Sequence, residues 1–332
     1  MNCIRRILVS VKDPAQGVTP AASKAAQLAR ATGATLELFH AITTPVYLDN
    51  YTYSDWTLTD AKRDVMKRRT EQMQRIAHDL EVRPGQKCVR TLITAAWDWP
   101  AYAAIVRQAA ASRADLVLVD RHAGRHLART LMRYADWELL RLCPAPLLLV
   151  GKDSLYTRPL TLAAVDPAHY WDKSARLDER ILDAATTVST ALRGTLHALH
   201  TFESTLPVSY PTDVMYPKLS RDLAPRLRTA ASKRFSRLLR GRRIGQARQH
   251  LIDAPPALGI AQAARKLHAD LLVMGAVSRS GLKGLLIGNT AEILLDRVTC
   301  DLLIIKPPRF KTRVARIQTG ARIVPALPPV MA

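Results

Sequence analysis

Apolar and polar positions along the chain fall into two alternating rhythms. Short runs that are apolar at nearly every position, such as Ile7 to Val11, Leu116 to Val119 and Leu147 to Val150, alternate with longer stretches whose apolar residues lie three and four apart. A run apolar on both faces suits a parallel strand covered by helices, and the wider spacing suits one face of a helix. In the first half this predicts strands at Ile7–Val11, Thr35–Phe39, Lys87–Ile93, Leu116–Val119 and Leu147–Val150. Helices are predicted over Thr19–Thr32, from about Asp60 to Leu80, over Pro100–Ser112 and around Asp136–Leu142. Such alternation marks a doubly wound α/β layer built on a parallel sheet with right-handed crossovers.

The same pattern runs a second time. "ILVSVKDP" (Ile7 to Pro14) returns as "TLAAVDP" (Thr161 to Pro167), and "GATLELFH" (Gly33 to His40) as "RGTLHALH" (Arg193 to His200). "RADLVLVD" (Arg113 to Asp120) returns as "HADLLVMG" (His268 to Gly275), and "CPAPLLLV" (Cys143 to Val150) as "CDLLIIKP" (Cys300 to Pro307). Four matches in one order predict two tandem domains, 1–152 and 156–308, followed by a basic tail over 309–332. In a doubly wound sheet the ligand crevice lies beyond the carboxyl ends of the strands, where the strand order reverses. That rule selects Asp13 and Asp166, the positions after Phe39 and His200, and the loops after Leu118 and Val273.

Composition narrows the class. Hydrophobic residues at 48% and charged residues at 23% of 332 fit a globular chain and exclude a disordered or fibrous one. No apolar run approaches the roughly 20 residues that cross a bilayer, and the start resembles no signal peptide, so a cytoplasmic protein without a transmembrane segment is expected. Cys3, Cys88, Cys143 and Cys300 are scattered, which argues against a disulfide framework or a zinc knuckle. Cys143 and Cys300 hold equivalent places before the last strand of each repeat, where a small buried residue packs well.

The net charge is +21, with +7 in residues 1–150 and +14 in the rest. Arg226 to Gln249 contains nine basic and no acidic residues, and Leu302 to Ala332 contains six basic residues. Leu223, Leu227, Ala231, Phe235 and Leu238 recur at helical spacing through the first of these stretches. Arg226, Arg228, Lys233, Arg234, Arg237 and Arg240 then project from the other surfaces, continuing into Arg242 and Arg243. A solvated face is one reading; nucleic acid or an anionic membrane is the other. Only Phe235 interleaves the cations, so no series of aromatic stacking positions accompanies them. The tail from Pro307 has no helical caps, so weak order or partner-dependent packing is expected of it.

The candidate chemistry lies in "VMGAVSRSGLKGLLIGNTAEILL" of the second repeat. Gly275, Gly281, Gly284 and Gly288 separate a strand from a helix that starts near Asn289, with Arg279 and Lys283 between them. Glycines in that place let backbone amides approach phosphate oxygens, and the helix N-terminus favours the same anion. A strand ending in Met274-Gly275, this loop, and the final strand after Cys300 together resemble the universal stress protein family. "GNTAEILLDRVTCDLLIIKP" and "DWELLRLCPAPLLLV" are similar to its tandem E-type members, over nearly the whole chain.

The resemblance implies two Rossmann-like domains of the adenine nucleotide alpha hydrolase type, paired as an intrachain pseudo-dimer, with a possible further homodimer. In the family the ATP-binding pattern is Gly, two residues, Gly, nine residues, Gly, then Ser or Thr. Gly275 and Gly288 match its outer glycines and Arg279 to Ile287 its spacer. Ser278 occupies the second glycine's place, where a Cβ disfavours positive φ and crowds a phosphate. Asn289, followed by Thr290, stands where the hydroxyl residue belongs; it can cap the helix but is longer than Ser. Asp166 matches the adenine-side carboxylate and Thr201 the small residue after the second strand. A vestigial or altered ATP-type site is expected in the second domain, with Mg2+ only alongside nucleotide.

The first repeat keeps Gly124 alone. It has Asp120 in Gly275's place and Tyr134 opposite Gly288, with Asp136 and Glu138 at the next helix start, where carboxylates repel phosphate. No triphosphate site is expected there. His122 and His126 are four apart, but no third ligand lies near; His197 and His200 fall on opposite faces of a strand. Trp97, Trp99 and Pro100 read as an aromatic staple before a helix, with a ligand-stacking platform as the alternative. No nucleophile elbow or catalytic carboxylate pair appears, and the resemblance implies a non-catalytic stress-response role, with slow ATP hydrolysis in some members of the family. A carrier or sensor of another phosphorylated or acyl metabolite, and a nucleic-acid-associated protein using the 226–243 face, are the alternatives. Resistance to DNA-damaging stress is implied by the resemblance alone.

Overall fold

The computed structural model describes residues 3–48, 55–81, 88–121, 137–168, 176–204, 217–276, 289–308 and 310–325. The chain divides into two compact units, Cys3–Leu155 together with Lys311–Ala332, and Tyr156–Phe310.

The first unit contains β1 (Arg6–Ser10), α1 (Pro20–Thr32), β2 (Thr35–Ile42), β3 (Val46–Leu48) and α2 (Asp55–Glu81). It continues with β4 (Thr91–Trp97), α3 (Ala101–Ala111), β5 (Leu116–Asp120), a helix α4 over 137–142, and β6 (Leu147–Val150). Its sheet runs β4-β2-β1-β5-β6, with every pair parallel. Pro20 starts α1 with its φ already helical, and the Thr19 hydroxyl accepts from the Ala22 amide, so the helix begins where Thr19 predicts it.

The second unit contains β7 (Leu160–Val165), α5 (Arg176–Ala191), β8 (Thr195–Phe202), α6 (Pro217–Leu239) and β9 (Gln249–Asp253). It closes with α7 (Pro256–Lys266), β10 (Leu271–Gly275), α8 (Asn289–Arg297) and β11 (Asp301–Ile305). Its strands run β9-β8-β7-β10-β11, all parallel, which is the order of the first unit repeated. The sequence repeat is therefore a repeat of topology, with switch points at β1/β5 and β7/β10. Leu116 to Val119, Leu147 to Val150, Leu271 to Val273 and Asp301 to Ile305 are buried along their lengths, as strands covered on both faces must be. Burying each Leu or Ile side chain contributes about 1.5–3 kcal/mol.

Three expectations shift. The strand predicted over Lys87–Ile93 lies at Thr91–Trp97, because β4 follows β2 in register from Leu36↔Thr91 to Ile42↔Trp97. The packed face of α6 is Ala231, Phe235 and Leu239; Leu238, expected in that row, is only half-buried, because a strict step of four continues. Of the tail, expected to have weak order or partner-dependent packing, the described residues 311–325 pack on the first unit, and Ile323–Pro325 forms β12, parallel to β3.

Candidate functional site

In the second unit β7 lies between β10 and β8, so Asp166, Thr201 and Gly275 converge at the carboxyl edge of the sheet. Asp166 holds its own turn: its Oδ1 accepts from the Ala168 amide at 3.3 Å, while its amide donates to buried Asp178 Oδ1 at 3.1 Å. Thr201 is half-buried, and its methyl group sits 2.8 Å from where a Cβ on Gly259 would stand, so it packs against the start of α7. Met274 is buried in β10. Asn289 and Thr290 open α8, as the sequence predicts, with no carboxylate at these first two positions. Ser278, Arg279, Gly281, Lys283 and Gly288 lie outside the described residues.

Gly275 has a structural cause that spacing alone does not reveal. A Cβ there would come 2.8 Å from Leu177 Cδ2 and 3.3 Å from Ile181 Cδ1. Its missing side chain lets α5 lie close against β10, the part a glycine plays in close helix–strand packing.

The equivalent place in the first unit is filled by a carboxylate. Asp120 ends β5, and its Oδ1 accepts from the Ala21 amide at 2.8 Å, in the first turn of α1. The partial positive charge of that helix end thus already faces an anion, and a second one would be repelled. Asp13, the counterpart of Asp166, accepts from the Ala15 amide at 3.1 Å and lies 3.5 Å from Arg69 Nη1. Glu138 is held by Arg141 at 3.1 Å rather than standing as an open helix-end charge. Gly124, Tyr134, Asp136, His122 and His126 lie outside the described residues.

The histidines divide by face as the strand period requires. His200 Nδ1 lies 3.2 Å from the Val165 carbonyl, and its counterpart His40 lies 2.8 Å from that of Val11. Burial pushes the His40 pKa down, the Val11 hydrogen bond opposes it, the Arg69 charge lowers it further, and Asp13 raises it; the net is below the ordinary value. His197 turns the other way, its Nδ1 2.9 Å from His250 Nε2 with the rings stacked. Burial lowers both pKa values, aided by the mutual charge at His197 and by Lys266 at His250. Among the described residues no cluster of His, Cys, Asp or Glu is suited to a metal ion, and Cys143 and Cys300 are buried as expected.

On α6, Arg226, Arg228, Lys233, Arg234 and Arg237 are exposed, as are Arg240 and Arg243 just beyond it. Arg242 leaves this face: the chain turns at Gly241, whose φ of 79° suits a glycine, and Arg242 donates to Asp183 Oδ1 at 2.9 Å.

One constellation is invisible to sequence reasoning. Asp98, buried between Trp97 and Trp99, accepts two hydrogen bonds from Arg107, at 2.7 Å from Nε and 2.6 Å from Nη2. The Thr319 amide and hydroxyl, from the tail, donate to the same carboxylate at 3.1 and 2.8 Å. Arg107 also reaches the Ala315 carbonyl, and Gln318 that of Trp97. The acid in "WDWP" was the available signal, but its partner in the tail is 221 residues away. Trp99 is 40% exposed, with Arg322 over its ring, so the expected staple is a contact with the tail.

No helix among the described residues is long and apolar enough to cross a membrane. The model of the Universal stress protein family matches residues 4–151 and 172–306. The chain is 26% identical over 312 residues to Universal stress protein E of Escherichia coli K12, covering 92% of this chain and 96% of that protein. A similar relative in Salmonella typhi is 26% identical over 317 residues, with the same coverage. Among solved structures, a protein of unknown function from Pseudomonas aeruginosa PAO1 aligns with a TM-score of 0.65 at 24% identity, covering 92% of this chain and 94% of that one. A universal stress protein from Archaeoglobus fulgidus aligns at 0.54 and 12% identity, over 91% and 98%. Two matched domains, one repeated strand order and these relatives agree: the chain belongs to the universal stress protein family, as a tandem of its domain.

Proposed function

We propose that this chain is a non-catalytic stress protein that acts by binding, with an ATP-type anion site in its second domain only. The observation that supports this is the contrast between the two equivalent strand ends. Asp120 supplies a carboxylate to the Ala21 amide in the first turn of α1, whereas Gly275 at the equivalent strand end brings none. Asp166 and Asp13 each hold a local turn, which favours a framing role over proton transfer. The Ser and Asn departures at 278 and 289 make the site an altered one, and Mg2+ would enter with the nucleotide.

Isothermal titration with MgATP tests this on wild type and on the Ser278→Gly, Asn289→Ser double variant. One ATP per chain, without phosphate release, is the expected result. Two per chain would overturn the assignment to one domain, and none in either protein would overturn an ATP-type site. Binding by the variant alone would turn the reading toward another phosphorylated or acyl metabolite, with native mass spectrometry of the purified protein showing what is carried.

A second reading has its own observation, the row of exposed cations from Arg226 to Arg243. If nucleic acid binds there, affinity falls steeply with salt and falls again on charge reversal at Arg234 and Arg237. Salt-independent binding would remove this reading.

A further inference from the structure

The first domain contains a cavity of about 460 Å³ that none of the family's motif positions lines. It lies beyond β2 and β4, at the opposite side of β1 from the strand end that Asp120 closes. One wall is a single stripe of α2, Ala61, Val65, Arg68 and Gln72, spaced four, three and four apart as one helix face requires. The other walls are Thr44 and Pro45, between β2 and β3, and half-buried Trp97 at the end of β4.

These walls have a definite chemistry. Trp97, Pro45 and Val65 make part of the lining apolar, and the Trp97 ring is a group on which an aromatic ligand stacks well. Arg68 is exposed and has no carboxylate partner among the described residues, while Arg69 donates to Gln72 Oε1 at 3.0 Å and lies 3.5 Å from Asp13. Arg68 therefore has a planar, donor-rich fork available to a carboxylate, sulfonate or phosphate. The volume lies in the range of roughly 300–1,000 Å³ typical of small-molecule sites.

The cavity is also braced from outside. Gln318 Nε2 donates to the Trp97 carbonyl at 2.7 Å, and β12 pairs with β3, which begins immediately after Pro45. The tail thus ties two separate walls in place, giving a preformed site, as ligand sites usually are.

We infer that this cavity is a second small-molecule site, specific for a planar aromatic anion whose ring lies against Trp97 and whose charge meets Arg68. The probe is anilinonaphthalene sulfonate, titrated by fluorescence and calorimetry against the full chain. One tight site per chain is expected, with weaker binding of neutral phenylnaphthylamine. Ala61→Trp, which fills the cavity from an exposed helix position, and Arg68→Glu should each weaken the probe by about tenfold or more while leaving the melting temperature unchanged. The Ser278→Gly, Asn289→Ser protein should retain it, which separates this site from the one in the second domain. Unchanged affinity in both Ala61→Trp and Arg68→Glu, equal affinity for the neutral probe, or no stoichiometric binding would overturn the inference.

Discussion

The carboxylate of Asp120 stands 2.8 Å from the amide nitrogen of Ala21, across 99 residues of chain. It supplies the first turn of α1 with a hydrogen-bond acceptor and a negative charge at once. Its counterpart Gly275 can do neither. One strand end thus carries a carboxylate that serves a neighbouring helix, whereas the equivalent end carries a glycine that makes room for one, and α5 takes its first-turn carboxylates from its own Asp178 and Glu179.

Replacing Asp120 by Ala should lower stability by about 1 kcal/mol, the usual cost of a lost helix-capping acceptor. Asp120→Asn should recover most of it, because the amide oxygen still accepts from Ala21. Urea unfolding of the three proteins measures the difference; equal stability of wild type and Asp120→Ala would show that the hydrogen bond contributes nothing.

Gly275→Ala is expected to destabilise by about 1–3 kcal/mol whether or not nucleotide is present, because the new Cβ collides with Leu177. Leu177→Ala in the same protein should make the glycine substitution nearly neutral. The double-mutant cycle therefore has a coupling of opposite sign to either single cost. Additive costs would mean that Gly275 is needed for something other than packing against α5.

Asp98 joins the tail to the first domain. Burial alone would raise its pKa, but the hydrogen bonds from Arg107 and Thr319 and the Arg107 charge outweigh burial and hold it below the ordinary carboxylate value. The unfolded carboxyl titrates near ~3.9, so this stabilisation is complete above that pH and is lost as pH falls through the lower folded value. Hydrogen exchange over residues 315–319 should stay slow at mild acidity and accelerate only below it. Arg107→Met, which leaves the buried carboxylate with Thr319 as a donor but without its cation, should cost about 3 kcal/mol at neutral pH and release the tail to protease.

His40 has its pKa lowered chiefly by burial, with the Arg69 charge adding to it. A histidine whose folded pKa is depressed binds fewer protons when folded, so the stability it contributes is lost as pH falls from about 6.5 through the folded value. Its ring resonances should titrate below 6.5, the ordinary value. Arg69→Gln should move the midpoint up and Asp13→Asn should move it down. Shifts in the reverse directions would contradict the electrostatics of this site.

Much of the fold is written in local pattern. Apolar runs long enough for a strand, Thr19-Pro20 at a helix start, and the ordered return of four segments specify elements, their class and their duplication, because each depends on neighbours a few residues away. The family was legible for the same reason: its motif is contiguous from Met274 to Asn289. What β4 pairs with, and hence that it runs over Thr91–Trp97, depends on register with β2 and is not local. Likewise the row of cations after Phe235 was readable, but not that Asp183 takes Arg242 out of it.

Local pattern is enough to specify two repeated α/β domains, their family, and which strand ends carry a glycine or an acid. Packing is what brings Asp120 to the first turn of α1, Leu177 against Gly275, and Thr319 of the tail onto Asp98. The physical reason is range: helix and strand signals act over one or two turns of chain, whereas a buried carboxylate takes whichever donors packing brings to it, however distant in sequence.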